Sequence, residues 1–337
     1  MKALAIQGSF GLDSLTLVDL PDPVPQRDEV VIRMKAASIN YRDLMIVMGT
    51  YNPRQPLPLV PLSDGVGQVV ATGPEVTRFK IGDRVSPIFV QGWLDGEASI
   101  AKLKTTLGSP LPGVLSEFHI TREASLVKPP AFLTDGEAAT LPCAGLTAYN
   151  ALLGTGNLRT GDTVLVQGTG GVSIFALQFA KMIGARVIVT SSSDAKLERV
   201  RAMGAWQTIN YRTTPDWEKR VIELTDRTGV DHVVEVGGAG TLARSVRAVR
   251  VAGTVSIIGA LTGPAEEFNV LPVLMRHVRL QGIIVGSRSM FEAMNRAIDA
   301  SELRPVIDEK TFSFAEAKEA LRYMSTASHF GKIVVHF

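Results

Sequence analysis

Short apolar segments alternate with helical patterns through the middle of this chain. The apolar segments lie at residues 163–167, 185–190, 206–210, 232–236 and 253–259. The helical patterns lie between and after them, at residues 172–183, 195–203, 215–228 and 241–249. Strands that are apolar on both faces and alternate with helices are typical of a parallel sheet covered on both sides. We therefore predict an α/β domain of the doubly wound kind, since β-α units of this type connect with right-handed crossovers.

The two ends of the chain carry a different pattern. Strand-like segments at residues 30–36 and 64–73 are separated by turns and by prolines, which argue against long helices there. Residues 290–337 have mixed character and end on a strand-like segment at 332–337. A chain of 337 residues is also too long for one ordinary core. We therefore expect two domains, one of them rich in strands.

The charge and cysteine content exclude several classes of protein. Lys and Arg total 35 against 33 Asp and Glu, and no basic stripe stands out, so a nucleic-acid partner is not expected. The apolar runs are shorter than the roughly 18 residues of a membrane span, and no signal-peptide pattern follows Met1. Cys143 is the only cysteine, which excludes an intrachain disulfide and a four-cysteine zinc site. These features favour a cytoplasmic enzyme with no membrane partner.

A glycine-rich turn follows the first buried strand and begins a helix. Residues 168–173 read Gly-Thr-Gly-Gly-Val-Ser, which fits a dinucleotide-binding fingerprint in this context. Gly168 permits the tight turn, and Gly170 lets a pyrophosphate approach the helix N-terminus. Ser173 is small enough for close helix–strand packing and could add a hydroxyl to the phosphates. We assign Gly171 to the same site; the alternative is a turn without a ligand.

The end of the second strand indicates which dinucleotide is bound. Sites for NAD place an acid there, on the ribose hydroxyls, but this chain has Ser191 and Ser192, with Lys196 close behind. Asp194 is the nearest acid, and its position predicts that it caps the next helix. Hydroxyls with a lysine suit the 2′-phosphate of NADP, although Lys196 could also be a solvated helix residue. We therefore expect NADPH as the cofactor.

Taken together, these features resemble the medium-chain dehydrogenase/reductase superfamily, and within it the zinc-independent branch similar to quinone oxidoreductases. The segments that carry the resemblance lie at residues 37–43, 73–85, 141–148, 168–173 and 330–334. The resemblance implies a Rossmann domain inserted into a GroES-like, β-rich catalytic domain. The implied boundaries are residues 1–125 plus 285–337 for the catalytic domain and 126–284 for the Rossmann domain.

The resemblance also shows which zinc ligands this chain lacks. Zinc alcohol dehydrogenases have a cysteine where this chain has Asn40, and a histidine followed by glutamate where it has Ser63 and Asp64. Only the third ligand position keeps its cysteine, as Cys143. A catalytic zinc usually has three protein ligands, and residues 93–113, near the family's structural-zinc lobe, contain no cysteine. The five histidines show no paired ligand spacing, so we expect no zinc.

Further cofactor residues are implied by the resemblance. It places Thr147 and Val172 against the nicotinamide and Lys332 at the pyrophosphate. It builds the 2′-phosphate pocket from the strand-end serines, Lys196 and Tyr211. Gly237 and Gly259, at the ends of the fourth and fifth strands, are assigned to the same cofactor site.

The missing ligands also limit the substrate. Reduction of a simple ketone produces an alkoxide, and without a Lewis acid no group would stabilise its charge. Reduction of a quinone or enone produces a less basic anion, because the charge is delocalised. Donors implied for this anion are Asn40, Tyr41, Ser63 and Arg288. We therefore expect an NADPH-dependent oxidoreductase that acts on a quinone or other α,β-unsaturated carbonyl.

Other interpretations stay open at this point. A zinc-independent enoyl thioester reductase is the first alternative, and a zinc-type alcohol dehydrogenase is the second. A redox sensor that binds NADPH without turnover is the alternative outside the enzymes. Homodimers are common among relatives, and residues 254–258 and 283–285 are candidates for an exposed sheet edge. The sequence does not select the physiological acceptor.

Overall fold

A computed structural model describes residues 1–263 and 267–337. The strands in this part of the chain are β1 (Lys2–Ile6), β2 (Leu15–Asp19), β3 (Glu29–Ile39), β4 (Asp64–Thr72), β5 (Arg84–Pro87), β6 (Phe118–Arg122), β7 (Leu126–Val127), β8 (Thr163–Gln167), β9 (Arg186–Ser191), β10 (Gln207–Asn210), β11 (Val230–Glu235), β12 (Val249–Ile257), β13 (Arg279–Gly282), β14 (Phe312–Ser313) and β15 (Ile333–His336).

The α-helices in the same residues are α1 (Tyr41–Val47), α2 (Ile100–Leu103), α3 (Asp135–Ala139), α4 (Leu146–Tyr149), α5 (Gly171–Met182), α6 (Asp194–Ala202), α7 (Trp217–Leu224), α8 (Leu242–Ala248), α9 (Leu271–Met275), α10 (Arg288–Ser301) and α11 (Ala317–Ser325). Two π-helical segments, Leu141–Gly145 and Asn150–Gly154, flank α4. No helix formed by these residues has the length and apolarity needed to cross a membrane.

The chain divides into two compact units. The first combines Met1–Leu146 with Val285–Phe337, and the second is Thr147–Ile284. The second boundary coincides with the one expected from the sequence. The first lies later than the expected 125/126, because β7, α3 and the segment up to Leu146 pack with the strand-rich ends of the chain.

The second unit is built around a six-stranded parallel sheet. Its strand order is β10-β9-β8-β11-β12-β13, with every neighbouring pair parallel. Counted from β8, this is the order 3-2-1-4-5-6 of a Rossmann sheet, in which the direction of winding reverses between β8 and β11. Side chains from both strands and helices form one core, including Leu165, Val233, Val255, Trp217 and Val246. The predicted doubly wound α/β fold is confirmed.

The first unit contains a seven-stranded sheet in the order β14-β15-β3-β4-β5-β7, with β6 also paired to β3. β3 is central because its eleven residues pair with β4 on one side and with β6 and β15, one after the other, on the opposite side. Apolar residues from both ends of the chain share its core, among them Ile32, Leu115, Leu321 and Ile333. This agrees with the expected GroES-like domain made of both ends.

The prediction of the exposed sheet edge is wrong in detail. Residues 254–257 belong to β12, which lies between β11 and β13, and residues 283–285 follow the end of β13. At this end of the sheet the edge strand is β13, Arg279–Gly282. The apolar residues after it suggested a longer strand, but the ladder with β12 ends at the pair Ile257 and Gly282.

Candidate functional site

A glycine turn joins β8 to α5 at the carboxyl edge of the parallel sheet. Gly168 has a φ of +75°, a left-handed conformation that glycine adopts without strain. Gly170 precedes α5, and a Cβ placed on it would meet no other heavy atom within 4 Å. Open space therefore lies beside the N-terminus of α5, where the free N–H groups of residues such as Gly171 and Val172 and the helix dipole attract anions.

The structure corrects one role expected for Ser173. Its Oγ donates a hydrogen bond to the carbonyl oxygen of Gln167 at 2.7 Å, and the residue is buried. The single hydroxyl proton is therefore used to close the turn and is not available to a phosphate oxygen. The close helix–strand packing expected of a small residue at this position is present.

The residues predicted to bind the 2′-phosphate lie near the carboxyl end of β9. β9 and β10 run parallel with Ser191 beside Asn210, and the N–H of Tyr211 donates to the carbonyl oxygen of Ser191 at 3.1 Å. Ser191 is buried, Ser192 is partly buried, and Tyr211 is 43% exposed. Strand pairing thus places Tyr211 next to Ser191.

Ser193, and not Asp194, caps α6. The Ser193 Oγ accepts a hydrogen bond from the N–H of Lys196 at 3.4 Å, which places Lys196 in the first turn of the helix. Asp194 is the first residue of α6, and its carboxylate accepts from Asn210 Nδ2 at 2.8 Å. The prediction that Asp194 caps the helix is therefore wrong, because the extended residue before it already supplies the capping oxygen.

A buried glutamate organises the point where the winding of the parallel sheet reverses. Glu235 is the last residue of β11 and is fully buried. Its carboxylate accepts hydrogen bonds from Gly237 N (2.8 Å), Gly238 N (3.0 Å), Thr241 Oγ1 (2.5 Å), Gln167 Nε2 (2.7 Å) and Ser245 Oγ. Because Gln167 ends β8, Glu235 ties the loop after β11 to the glycine turn. Glu235 was not among the predicted site residues, although a glutamate at the end of a buried apolar strand is a signal of an internal role.

Three other predicted cofactor residues lie in this unit at positions of close packing. A Cβ on Gly237 would meet Thr241 Oγ1 at 2.2 Å, and one on Gly259 would meet the Val236 carbonyl oxygen at 2.9 Å. Both glycines therefore serve the packing of the loops at the carboxyl edge. Thr147 is 3% exposed on α4. Contact of these residues with a cofactor stays a prediction.

A cavity of about 500 Å³ lies at the opposite, amino edge of the same sheet. Arg159, Asp231, His232, Thr254 and Arg279 are among its lining residues. In open parallel sheets, ligands bind outside the carboxyl ends of the strands, at the point where the strand order reverses. We therefore assign the dinucleotide to the glycine turn and not to this cavity.

In the first unit, three neighbouring strands bring polar residues together. β15 pairs antiparallel with β3 in a register that puts Lys332 beside Asn40. On its other side, β3 pairs with β4, where Ser38 lies opposite Asp64. The three side chains of Lys332, Asn40 and Asp64 thus come from adjacent strands, although two of them are nearly 300 residues apart in the chain.

Lys332 and Asp64 form a buried ion pair in this cluster. The Lys332 ammonium donates to the Ile39 carbonyl oxygen at 2.8 Å and to Asn40 Oδ1 at 2.5 Å, and lies 3.9 Å from Asp64 Oδ2. Lys332 is 2% exposed and Asp64 is fully buried. Asn40 Nδ2 is also buried and makes no hydrogen bond with any of the described residues.

Asp64 is surrounded by donors. Ser63 Oγ donates to its Oδ1 at 2.8 Å, and the N–H of Cys143 donates to its Oδ2 at 3.2 Å. Burial raises the pKa of Asp64, while the positive charge of Lys332 and the nearby amide of Asn40 oppose that rise. The Ser63 proton is therefore engaged by a carboxylate, whereas the Asn40 amide, even with one N–H directed at Asp64, keeps a second N–H without a partner among the described residues.

Asp43 lies in the first turn of α1 and supports Asn40. Its Oδ2 accepts from the Asn40 N–H at 2.8 Å, whereas its buried Oδ1 has no hydrogen-bond partner among the described residues. Burial raises the pKa of Asp43 to about 6, an effect that the charge of Arg42 opposes. Through the bond to its N–H, Asp43 holds the main chain of Asn40 in place.

The remaining predicted catalytic residues do not join this cluster. Tyr41 is 44% exposed at the first position of α1. Arg288 donates to the Ala124 carbonyl oxygen at 2.8 Å and pairs with Glu292 at 3.5 Å, so its contacts are made with the main chain and with its own helix. The structure therefore does not bring Arg288 to Asn40 or Ser63.

Comparison with known proteins identifies the family. Residues 26–131 match the family model described as alcohol dehydrogenase GroES-like domain, and residues 171–300 match the model described as zinc-binding dehydrogenase. A zinc-type alcohol dehydrogenase-like protein of Schizosaccharomyces pombe is 42% identical over 93% of this chain and 92% of its own. The chain belongs to the medium-chain dehydrogenase/reductase superfamily. It is therefore an oxidoreductase of a family that binds NAD or NADP.

Two further relatives bear on substrate and cofactor. A quinone oxidoreductase of Pseudomonas aeruginosa is 35% identical over 80% of this chain and 76% of its own. The crystal structure of an NAD-dependent alcohol dehydrogenase matches with a TM-score of 0.91 and 34% identity, covering 100% of both chains. These names point to different acceptors and do not choose between NAD and NADP for this chain.

The zinc implied by the family does not fit the residues at its position. An amide, a hydroxyl and one thiol, from Asn40, Ser63 and Cys143, stand where the resemblance puts the ligands. Burial and the neighbouring carboxylates raise the pKa of Cys143, which disfavours the thiolate that zinc needs. The Lys332 ammonium also contacts the Asn40 oxygen. Among the described residues, no cluster of three His, Cys, Asp or Glu side chains could hold a metal.

Proposed function

We propose that this protein transfers a hydride from NADPH to a quinone or another α,β-unsaturated carbonyl without a metal ion. The observation that carries the proposal is the group at the lost ligand positions. It offers a buried, unpartnered amide N–H on Asn40 beside a lysine, in place of a Lewis acid. The quinone oxidoreductase among the relatives supports this acceptor class.

The donor set favours conjugated acceptors for an electrostatic reason. Hydride addition to a simple ketone produces a strongly basic alkoxide, which zinc stabilises in the metal-dependent enzymes. Hydride addition to a quinone or enone produces a phenolate or enolate, in which the charge is delocalised. One hydrogen-bond donor in a buried site can stabilise such an anion.

The residues of this chain have separate tasks in the proposed reaction. When bound, the reduced nicotinamide supplies the hydride. The N-terminus of α5 holds the pyrophosphate, and the Asn40 amide donates a hydrogen bond to the acceptor oxygen as negative charge develops there. Solvent supplies the proton that completes the reduced product. The Asp43 carboxylate accepts a hydrogen bond from the Asn40 N–H and so holds the main chain of Asn40 in place.

The end of β9 supports NADP as the cofactor. Ser191 and Ser192 offer hydroxyls, Lys196 lies in the first turn of the following helix, and Tyr211 is adjacent to Ser191. Asp194, the acid closest to this position, is bonded to Asn210. A dianionic 2′-phosphate is thus met by a lysine and hydroxyl groups.

An acceptor panel tests the proposal. Purified protein is given NADPH or NADH with a simple quinone, an α,β-unsaturated ketone, an enoyl thioester and a saturated aldehyde, and oxidation of the cofactor is followed by absorbance. We expect the fastest turnover with NADPH and the quinone or unsaturated ketone, unchanged by a zinc chelator. Preference for the saturated aldehyde together with loss of activity in chelator would contradict the proposal.

The other outcomes of the panel identify the alternatives. Preference for the enoyl thioester would indicate an enoyl reductase. Tight NADPH binding without turnover of any acceptor would indicate a redox sensor.

A further inference from the structure

The buried lysine of the first unit is placed by strand register and not by a surface loop. Gly331 has a φ of +73°, and a Cβ there would meet the Val306 carbonyl oxygen at 2.4 Å, so glycine is required for the turn into β15. The pairing of β15 with β3 then sets Lys332 beside Asn40. A buried ammonium is costly unless it is paired, and Asp64 and two oxygen acceptors meet that need.

The ammonium determines which way the Asn40 amide faces. Lys332 Nζ carries only donors, so the Asn40 atom 2.5 Å away must be the oxygen Oδ1. The amide nitrogen therefore faces away from Lys332. Its two N–H groups make no hydrogen bond with the described residues, and proximity to Asp64 can engage only one of them.

We infer that Lys332 is a positioning residue that replaces part of the electrostatic function of zinc by acting through the Asn40 amide. The ammonium polarises the amide carbonyl. An amide whose oxygen accepts a hydrogen bond from a charged group donates more strongly through its N–H groups. Asn40 Nδ2 then donates to the oxyanion of the reduced acceptor. The inference rests on the proposed function and deepens it. An amide polarised by a nearby charge can stabilise an anion of low basicity, such as the one formed from a conjugated acceptor.

Two other roles for Lys332 predict different kinetics. A contact with the cofactor pyrophosphate, as the resemblance implied, would make its loss weaken NADPH binding. A purely structural ion pair would make its loss lower stability without a selective effect on one acceptor class. The positioning role predicts a lower kcat at unchanged NADPH affinity.

The experiment compares wild type with the double variant Lys332→Met/Asp64→Asn, which removes both charges and leaves no unpaired buried ion. We expect kcat for the unsaturated ketone to fall by about a hundredfold. The loss for the quinone, whose anion is less basic, should be smaller. The dissociation constant of NADPH should stay within about twofold. Lys310→Met, at an exposed lysine of the same unit, is the matched control and should change neither value.

Asn40→Ala provides the second test, because alanine has no N–H to donate and adds no buried charge when Lys332 and Asp64 are replaced. If Lys332 acts through Asn40, combining Asn40→Ala with the double variant adds little further loss. Additive losses, an unchanged kcat in the double variant, or a selective loss of NADPH affinity would each overturn the inference. Wild type that turns over no conjugated acceptor would instead overturn the proposed function.

Discussion

The preference for a cofactor depends on a few side chains at the end of one strand. Ser191 and Ser192 replace the acid that would bind the ribose hydroxyls of NAD, and Tyr211 reaches the same position through the pairing of β9 with β10. Lys196 is the cation that the first turn of α6 brings there. A 2′-phosphate carries nearly two negative charges, so this lysine should account for much of the discrimination.

Replacing Lys196 with alanine should weaken NADPH selectively. A charge-assisted hydrogen bond at a partly exposed site contributes about 1.5–3 kcal/mol, which corresponds to roughly a ten- to hundredfold change in affinity. NADH lacks the phosphate and should bind as before. Dissociation constants of both cofactors measure the effect, with Lys219→Ala on α7 as the control. Equal affinities of the wild type for NADPH and NADH would show that the assignment of NADP is wrong.

Among the elements, the N-terminus of α5 is the one on which dinucleotide binding depends most. The glycine turn leaves space beside it, since a Cβ on Gly170 would contact nothing within 4 Å. The fold should therefore tolerate a side chain at position 170. Only a bound dinucleotide would compete with that side chain for the same space.

Gly170→Val should abolish dinucleotide binding while the protein stays folded, because its methyl groups would occupy the space that the phosphates need. Fluorescence titration with NADPH and a thermal melt measure the two effects. Gly282→Val, at another glycine whose Cβ would meet nothing within 4 Å, is the control and should bind normally. Undiminished NADPH affinity in Gly170→Val would mean that the phosphates bind elsewhere.

The elements of the second unit were predictable because their patterns are local. Helices predicted at 172–183 and 195–203 occur as Gly171–Met182 and Asp194–Ala202, each displaced by one residue. The helical stretch before β8 is less regular, since α4 is flanked by two π-helical segments. Apolar periodicity does not reveal these segments, because each π-helical segment is a short local departure inside a helix.

For the whole molecule, the open edge of the parallel sheet suggests how copies associate. β13 is the last strand of the sheet and has no partner on its outer side among the described residues. Exposed apolar side chains lie near it in the chain: Val270, Leu271, Leu274, Met275 and Ile284. An unpaired edge beside an apolar patch favours pairing with another strand.

We therefore predict a homodimer formed through β13 and α9. Leu274→Glu should convert it to a monomer at micromolar concentration, because a charge would be buried in the interface. Sedimentation equilibrium measures the mass, with Ile100→Glu at an exposed apolar site of the first unit as the control. A monomeric wild type, or a dimer that Leu274→Glu leaves intact, would contradict this arrangement.

Local patterns in the sequence were enough for the α/β class, the position of the glycine turn and the residues at the end of β9. Periodicity and turn chemistry act over a few neighbouring residues, so these features can be recognised without the fold. The resemblance added the expectation that the zinc ligands are missing. The buried pairing of Lys332 with Asp64, the orientation of the Asn40 amide and the carboxylate network of Glu235 were not predictable in the same way. They depend on strand register and burial, which join residues far apart in the chain and are established only when the sheets form.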